Sequence, residues 1–527
     1  MGTDDKIISS HIFIFPFRWD VVKGNDSLNT CIDDRLKVDA FIELLRNKWE
    51  VDSNIASITK FKEVKNSEDY NTFAYFYSNV SEAIYGKDSS IKSTRHFFAK
   101  PDYKQAPNRI VSCLNYNNIN ENSTYEIFVE KHASNGCILF NKTYKLKIKS
   151  IKLKIYDTGI ATLSYFLKNE EYEESKDILI INDYGRRIYP QYLPLEEVQN
   201  SFLAKSISLR LQNETIEEDF IYDSKKYPCK VSKTITELLG LNFKSTEKEI
   251  KEFCFNKEKN IFIKPIIDDR MFVICYYNSD VWSSILTNFK QDKHLTSDFW
   301  YQYLFIDNEL PTCQDENLKK ELLAKSTYTR WKNEGTLFGI SRYSFVLLCD
   351  ESCFSKNVLY NHINTIYYEM IVLSLVQRAS ILRFSDETSR ISSFENKDIY
   401  KQIKKLQEYY IRFINTIYFR EVTAQEQGIE LYDKLTELMR IEKEVKRLDE
   451  EIDEIQRYIN LKTNEKTNET LNLITYIGLS VSIMTFVATI YSPYLILKDC
   501  KTLIVIFGLG MVTILVIWIN NLIKSGR

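Results

Sequence analysis

Two apolar stretches near the C-terminus dominate the hydrophobic pattern of the chain. Residues 471–491 and 503–519 contain no charged side chain, and each is about long enough to cross a hydrocarbon core of about 30 Å as a helix. The link between them holds too few residues for a domain. The pattern therefore predicts a hairpin of two transmembrane helices over residues 471–527.

A second periodic pattern precedes the first apolar stretch. Its apolar residues recur at spacings of three and four, which is the heptad pattern of a coiled coil. They are Leu438, Ile441, Val445, Leu448, Ile452, Ile455 and Ile459. The pattern predicts a helical stalk over residues 396–470 that associates with other copies of the chain. An amphipathic helix of a globular domain gives the same spacing over shorter lengths.

Small and polar residues recur three or four positions apart along the first apolar stretch. They are Asn472, Thr475, Gly478, Ser482, Thr485 and Thr489. One interpretation is a stripe that lines a conducting path in a ring of helices, where hydroxyl and amide oxygens face the ions. The other is a packing stripe, because small residues let membrane helices approach closely. We favour pore lining, since the stalk predicts several copies of the helix.

The first 395 residues show strand patterns that give way to helical ones. In HIFIFPFRWD, residues 11–20, aromatic and apolar side chains alternate with period two, as in a buried strand. Residues 152–167 predict a hairpin that turns at 157–159. Apolar residues at helical spacing run over about 358–382. We expect a ligand-sensing domain of α+β or α/β class.

Two further segments of this domain carry strand patterns. The first, DILIINDYGRRIYP, predicts a strand that ends near Asn182. The second, FIKPIIDDRMFVICYY, predicts a hairpin about Asp268 and Asp269.

Composition and motifs exclude several classes of function. Lysine and arginine number 70 against 72 acidic residues, so nothing in the net charge favours direct binding of nucleic acid. The ten cysteines form no CxxC pair, and the five histidines are never at metal-ligand spacing. Phosphate-loop, dinucleotide, zinc-protease and nucleophile-elbow motifs are missing from the sequence. We therefore expect a protein that is not an enzyme and requires no cofactor.

Arginines with aromatic neighbours are the candidate ligand-binding residues. A nucleotide needs guanidinium groups for its phosphate and an aromatic face for its base. The candidates are Asn182, Tyr184, Arg186 and Arg187 in INDYGRRIY, Arg342 and Tyr343 in SRYSF, and Arg18 and Trp19 in FRWD. Each arginine has a structural alternative, in which it pairs with a nearby carboxylate. They predict an anion site if the fold brings them together.

The arrangement of the predicted elements resembles the CorA family of divalent-cation channels. Those proteins are pentamers with a large N-terminal domain, a stalk helix and two C-terminal membrane helices. Their first membrane helix ends in Tyr-Gly-Met-Asn, and its last three residues select hydrated magnesium. This chain carries Tyr491, Ser492, Pro493 and Tyr494 at the matching lip. The resemblance implies a divalent cation as a ligand, but the selecting triad is missing and Pro493 predicts a helix stop.

Four short sequence segments resemble those of a divergent branch of the CorA family, the CorA-like membrane proteins found beside type III CRISPR systems. They are HIFIFPFRWD, INDYGRRIYPQYL, LFGISRYSFVLL and QRASILRFSDE. The resemblance implies a homopentameric channel that is gated by a nucleotide second messenger, a conjugate of S-adenosylmethionine and AMP (SAM-AMP). Such an effector acts in antiviral defence by disrupting membrane ion balance. Two alternatives stay open: an ordinary magnesium transporter of the CorA kind and a membrane-anchored scaffold.

The membrane prediction also fixes an expected location. More lysines and arginines flank the two ends of the predicted hairpin than its link, which favours both termini in the cytosol. Unpaired cysteines suit the same reducing compartment. We expect a multi-pass protein of a prokaryotic inner membrane whose partners are the lipid bilayer, further copies of itself and a small nucleotide.

Overall fold

A computed structural model describes most of the chain. The described residues are 7–23, 32–52, 74–86, 110–132, 137–188, 204–220, 230–246, 249, 259–288, 291–392 and 399–495. The chain divides into two compact units, Met1–Asp449 and Glu450–Arg527. The larger unit holds the sheet and every strand described below, and the smaller holds most of one long helix.

The larger unit is built on a single mixed sheet of 14 strands. The strands are β1 (Ser9–Lys23), β2 (Trp49–Val51), β3 (Val111–Tyr116), β4 (Thr124–His132), β5 (Ile138–Tyr156), β6 (Ile160–Asn169), β7 (Ser206–Arg210), β8 (Thr215–Asp219), β9 (Phe243–Lys244), β10 (Lys259–Pro265), β11 (Phe272–Asn278), β12 (Thr327–Tyr328), β13 (Leu337–Ile340) and β14 (Ser344–Cys349). Their order across the sheet is β12-β13-β14-β11-β1-β6-β5-β4-β7-β8, with β10 and β3 pairing beside this path. Strands β11 and β14 run parallel.

Helices lie between the strands and after the last of them. They are α1 (Ile32–Arg35), α2 (Val38–Glu43), α3 (Ser78–Tyr85), α4 (Ser175–Gly185), α5 (Lys233–Leu239), α6 (Asp280–Leu286), α7 (Asp298–Phe305), α8 (Glu316–Ser326), α9 (Tyr360–Asn364), α10 (Ile366–Ser392), α11 (Ile399–Thr416), α12 (Glu426–Met439) and α13 (Ile441–Leu495). A π-helical turn, Ser355–Leu359, leads into α9. Helix α10 is buried along most of its length, and its buried charged residues, such as Arg383 and Glu387, form ion pairs.

The first strand lies at the centre of the sheet, as its alternating sequence predicts. It pairs with β6 on one side and with β11 and β10 on the other. Both faces are covered, since Phe13, Phe15, Phe17 and Trp19 on one face have no exposed surface and Ile12 and Ile14 on the other are at most 1 % exposed. The hairpin of β5 and β6 is also confirmed, and its turn places Gly159 at φ 77°, a value that favours glycine.

Two local predictions are wrong. The run that predicted a strand ending near Asn182 is helix α4, because a short apolar run fits a buried helix as well as a buried strand. The predicted hairpin about Asp268 and Asp269 has the right strands but the wrong pairing. Strands β10 and β11 both pair with β1, one after the other along the same edge.

The prediction of a single coiled-coil stalk over residues 396–470 is also wrong. Residues 396–470 fall on three helices, α11, α12 and α13. The heptad is interrupted at Arg440, whose φ of 58° ends α12 before α13 begins. Ile441, Val445 and Leu448 are buried within the larger unit. These residues belong to the core of their own chain, as in the globular alternative, and no long coiled-coil stalk is shown.

The first predicted membrane span, 471–491, lies on helix α13. In the part of the chain that the structure describes, no helix is long and apolar enough to cross a membrane. The prediction relied on the lack of charge over the length of the segment. Thr475, Ser482 and Thr485 each donate a hydrogen bond to the carbonyl four residues before them, at 2.7–2.8 Å.

The expectations that depended on this span are corrected with it. The multi-pass inner-membrane location and the transmembrane channel architecture are contradicted by the same finding. The second predicted span, 503–519, lies outside the described residues. Helix α13 continues through the expected lip at residues 491–494 to Leu495, the last residue that the structure describes, so Pro493 does not stop the helix where the sequence predicted. The observed class is a mixed sheet with helices packed on it.

Removing a large side chain from the apolar face of α13 tests the corrected heptad. Leu448 is 2 % exposed, so Leu448→Ala should lower the free energy of unfolding by about 2–4 kcal/mol through lost burial and a residual cavity. The measurement is urea denaturation followed by circular dichroism. Leu461→Ala is the matched control, because Leu461 is 65 % exposed. Equal, small losses in both variants would contradict the placement of Leu448 in the core.

Candidate site: a guanidinium cluster at the start of two parallel strands

Two arginines predicted from the sequence lie between helix α4 and the start of β11. The helix ends at Gly185, and Arg186 and Arg187 follow it directly. The carbonyl of Arg186 accepts a hydrogen bond from the Met271 backbone N–H at 2.8 Å. Arg187 forms an isolated bridge with Arg270. The end of α4 is therefore fastened to the residues that lead into β11.

The second predicted pair enters the same neighbourhood from the neighbouring strand. Arg342 and Tyr343 precede β14, and the Tyr343 carbonyl accepts a hydrogen bond from the Val273 N–H at 3.1 Å. Since β11 and β14 are parallel, their starting residues meet at one edge of the sheet. Arg378 of α10 reaches this edge as well, and its Nη1 donates to the Arg342 carbonyl at 3.1 Å.

Five arginines thus form what we call the guanidinium cluster. Its members are Arg186, Arg187, Arg270, Arg342 and Arg378. The Tyr343 ring lies among them, with the guanidinium carbon of Arg270 at 6.0 Å and that of Arg378 at 5.5 Å from the ring centroid. Both contacts have the geometry of cation–π pairs. The cluster therefore joins cationic groups to an aromatic face.

Carboxylates neutralise part of the cluster. Arg186 and Arg187 each donate to Asp183 Oδ1 at 3.1 Å. Burial favours a raised pKa for Asp183, but the guanidiniums of Arg187 and Arg186 outweigh it and the pKa is lowered. Arg270 pairs with Asp268 at 3.0 Å and with Asp269 at 3.3 Å. These three arginines have the structural partners that the alternative interpretation expected.

The remaining two arginines have no such partner. Among the described residues, neither Arg342 nor Arg378 forms an ion pair within 4.0 Å. Burial raises the pKa of Asp307, and the nearby charge of Asp183 adds to this rise. The Asp307 carboxylate accepts a hydrogen bond from the Thr312 backbone N–H. Even with Asp307 included, the guanidiniums of the described residues outnumber their carboxylates by five to four.

The hydrogen bonds and ion pairs of the guanidinium groups only partly offset the free-energy cost of burying them. The Nε atoms of Arg186, Arg187 and Arg342 are buried and have no hydrogen-bond partner in the part of the chain that the structure describes. Burial lowers the pKa of Arg186 to about 10 and also lowers the pKa of Arg378. Like charges add to this effect, since Arg270 and Arg187 act on Arg186. An anion held at this edge would relieve both the repulsion and the unpaired N–H groups.

Four predicted residues have other roles. Asn182 accepts a hydrogen bond from buried His11 at 2.7 Å, if His11 Nδ1 carries the proton. The Tyr184 ring is buried and lies 5.4 Å from the Lys131 ammonium. Arg18 forms ion pairs with Asp20 and Glu387, at 2.8 and 2.9 Å. Trp19 is fully buried. The structure does not place these side chains on the face of Tyr343.

Sequence reasoning missed Arg270 and Arg378. Arg270 follows the two aspartates that were interpreted as a turn, and Arg378 lies within an apolar helical pattern. A charged residue inside such a pattern is itself a signal, because burial of a charge without a partner is costly. Their convergence with Arg342 depends on the pairing of β11 with β14, which no local pattern specifies.

Comparison with known proteins adds no family to this description. No protein-family model matches the chain, and no curated protein matches it. Within the described residues, no group of three or more histidine, cysteine, aspartate or glutamate side chains is arranged to hold a metal ion. The side chains of the guanidinium cluster are therefore the basis for a function.

Removing the charge of Asp183 tests how the cluster is held together. Asp183→Asn leaves the buried guanidiniums of Arg186 and Arg187 without their carboxylate, and the free energy of unfolding should fall by about 3–5 kcal/mol. Chemical denaturation measures this loss. Glu309→Gln is the control, since its ion pair with Lys131 is solvent-exposed and should change stability by less than about 1 kcal/mol. A loss of that smaller size in Asp183→Asn would contradict the buried pairing.

Proposed function

We propose that the chain binds a phosphorylated nucleotide at the guanidinium cluster and acts as an effector that responds to it. The observation that carries the proposal is the pair Arg342 and Arg378, which flank Tyr343 and have no ion pair among the described residues. Guanidinium groups recognise phosphate through charge-assisted, often bidentate hydrogen bonds. The excess positive charge at this edge favours such a ligand.

Tyr343 supplies the second element that a nucleotide requires. Its ring is half-buried and already holds two guanidiniums against its face or edge. Bases stack on aromatic rings and on guanidinium planes alike. A base that packs against Tyr343 would keep its phosphate within reach of Arg342 and Arg378. The same residues thus support recognition of both parts of one ligand.

The CRISPR-associated resemblance suggests which nucleotide to test. Its implied messenger is a conjugate of S-adenosylmethionine and AMP, which carries one adenylate phosphate, and the implied role is antiviral defence. Association with further copies of the chain also remains part of the proposal. The ion-conducting role is not carried forward, because no helix in the described ranges can cross a membrane.

A double substitution tests phosphate recognition. Arg342→Ala with Arg378→Ala removes the two guanidiniums that lack carboxylate partners, so it should weaken binding of AMP and of the conjugate at least tenfold, because each charged hydrogen bond contributes about 1.5–3 kcal/mol. Isothermal titration calorimetry gives the affinity, and thermal unfolding checks that the fold persists. The control is Arg330→Ala, which removes an exposed arginine that pairs with Glu430.

Two outcomes would contradict the proposal. The first is wild-type affinity in the double variant, which would place the phosphate elsewhere. The second is failure of the wild-type chain to bind any adenine nucleotide. In the supporting case, the affinity of the wild type should also fall as salt rises, since exposed charge pairs are screened, and this salt dependence should be smaller in the double variant.

A further inference from the structure

The two arginines that carry the proposed function lie on different elements of the fold. Arg342 and Tyr343 are the central residues of the turn between β13 and β14, and the turn is closed by a hydrogen bond from the Ser341 N–H to the Ser344 carbonyl at 2.9 Å. Arg378 lies on helix α10. A phosphate that binds both guanidiniums therefore bridges the turn and the helix, and it fixes one against the other.

A buried glutamine joins the neighbouring position of α10 to helix α12. Gln377 directly precedes Arg378 and has no exposed surface. Its Nε2 donates to the Ile417 carbonyl at 2.9 Å and to the Tyr432 hydroxyl of α12 at 3.0 Å. The hydroxyl in turn donates to the Phe419 carbonyl at 2.7 Å. We call these three buried hydrogen bonds the α10–α12 joint.

Helix α12 also contacts the strands that lead to the turn. The Tyr328 hydroxyl donates to Glu430 of α12, and Trp331 Nε1 donates to Gln427 of α12 at 3.1 Å. Tyr328 lies in β12, which pairs with β13, and β13 runs into the turn that carries Arg342. Helix α12 therefore connects the same two parts of the fold that a phosphate at the cluster would bridge.

Helix α12 leads directly into α13. It ends at Met439, and Arg440, with a φ of 58°, turns the chain before α13 begins at Ile441. Ile441 is 1 % exposed and Val445 is 6 % exposed, so the first turns of α13 are packed in the core. A change in the docking of α12 is therefore passed to the start of α13.

We infer that a phosphate bound at the guanidinium cluster stabilises the docking of α12 through the α10–α12 joint. The inference rests on the proposed function, because it needs a ligand at that cluster. Two interactions that fix the same pair of elements favour each other, and such coupling is reciprocal. The ligand should slow the opening of α12. Loss of the joint should weaken the ligand, although Gln377 and Tyr432 are buried and lie outside the proposed binding residues.

Amide hydrogen exchange tests the effect of the ligand on α12. Mass spectrometry of the full chain should show exchange of residues 426–439 slowed about fivefold or more by saturating AMP, because the ligand lowers the population of the open form. Tyr432→Phe should abolish this slowing. Tyr165→Phe is the matched control and should keep it, since Tyr165 is buried in β6 and its hydroxyl donates to the Thr234 carbonyl at 2.9 Å.

Calorimetry with AMP tests the reciprocal effect. Tyr432→Phe should weaken AMP about fivefold or more, which is the lower end of typical coupling between sites. Gln377→Leu removes the same joint from α10 with little change in side-chain volume, so it serves if Tyr432→Phe does not fold. Tyr165→Phe should bind AMP as the wild type does. Thermal unfolding identifies the variants that fold.

The outcomes separate this inference from the proposed function. If the wild type binds no adenine nucleotide, the proposed function is overturned and this inference with it. If AMP binds but exchange of residues 426–439 does not change, only this inference is overturned. Wild-type AMP affinity in folded Tyr432→Phe or Gln377→Leu would also overturn it. An equal loss of affinity in Tyr165→Phe would assign the effect to general destabilisation and overturn it as well.

Discussion

A buried ion network between β1 and α10 fixes the centre of the structure. Asp20 has no exposed surface and accepts hydrogen bonds from Arg18, Arg35 and Arg383 at 2.7–2.9 Å. Burial favours a raised pKa for Asp20, but the three guanidiniums outweigh it and lower the pKa to about 2. Glu387 of α10 binds Arg18 and Arg35 as well. The central strand is thereby fastened to the buried helix, and β11 and β14 take their places beside it.

The buried network and the guanidinium cluster differ in how their arginines are paired. In the network, three buried arginines meet Asp20, Glu387 and Asp386, and Arg390 approaches only to 3.7–3.9 Å at the edge. Such a set of pairs fastens elements together and leaves the buried charges matched. In the cluster, Arg342 and Arg378 form no ion pair with any described residue. Arginine beside an aromatic residue therefore did not distinguish the two sites in the sequence, whereas the ion pairs that each arginine forms do.

The parts of the fold that the sequence predicted are those that local physics determines. Alternation in residues 11–20 indicates a strand with both faces buried, and Gly159 allows the tight turn between β5 and β6. The errors arise where one pattern fits two structures. A short apolar run fits helix α4 as well as a strand, and the heptad from Leu438 fits a globular helix face as well as a coiled coil. Arg440, with its left-handed backbone, decides the second case, and no spacing of apolar residues reveals it.

The candidate sites were predictable only in part, because they depend on which strands become neighbours. Tyr343 and the adjacent arginine were visible as a pair, but Arg270 and Arg378 lie far from them in the sequence. Parallel pairing of β11 with β14 brings the residues that precede both strands to one edge of the sheet, and Arg378 reaches this edge from α10. No local pattern specifies such long-range pairing, so the gathering of guanidinium groups around Tyr343 becomes visible only in the fold.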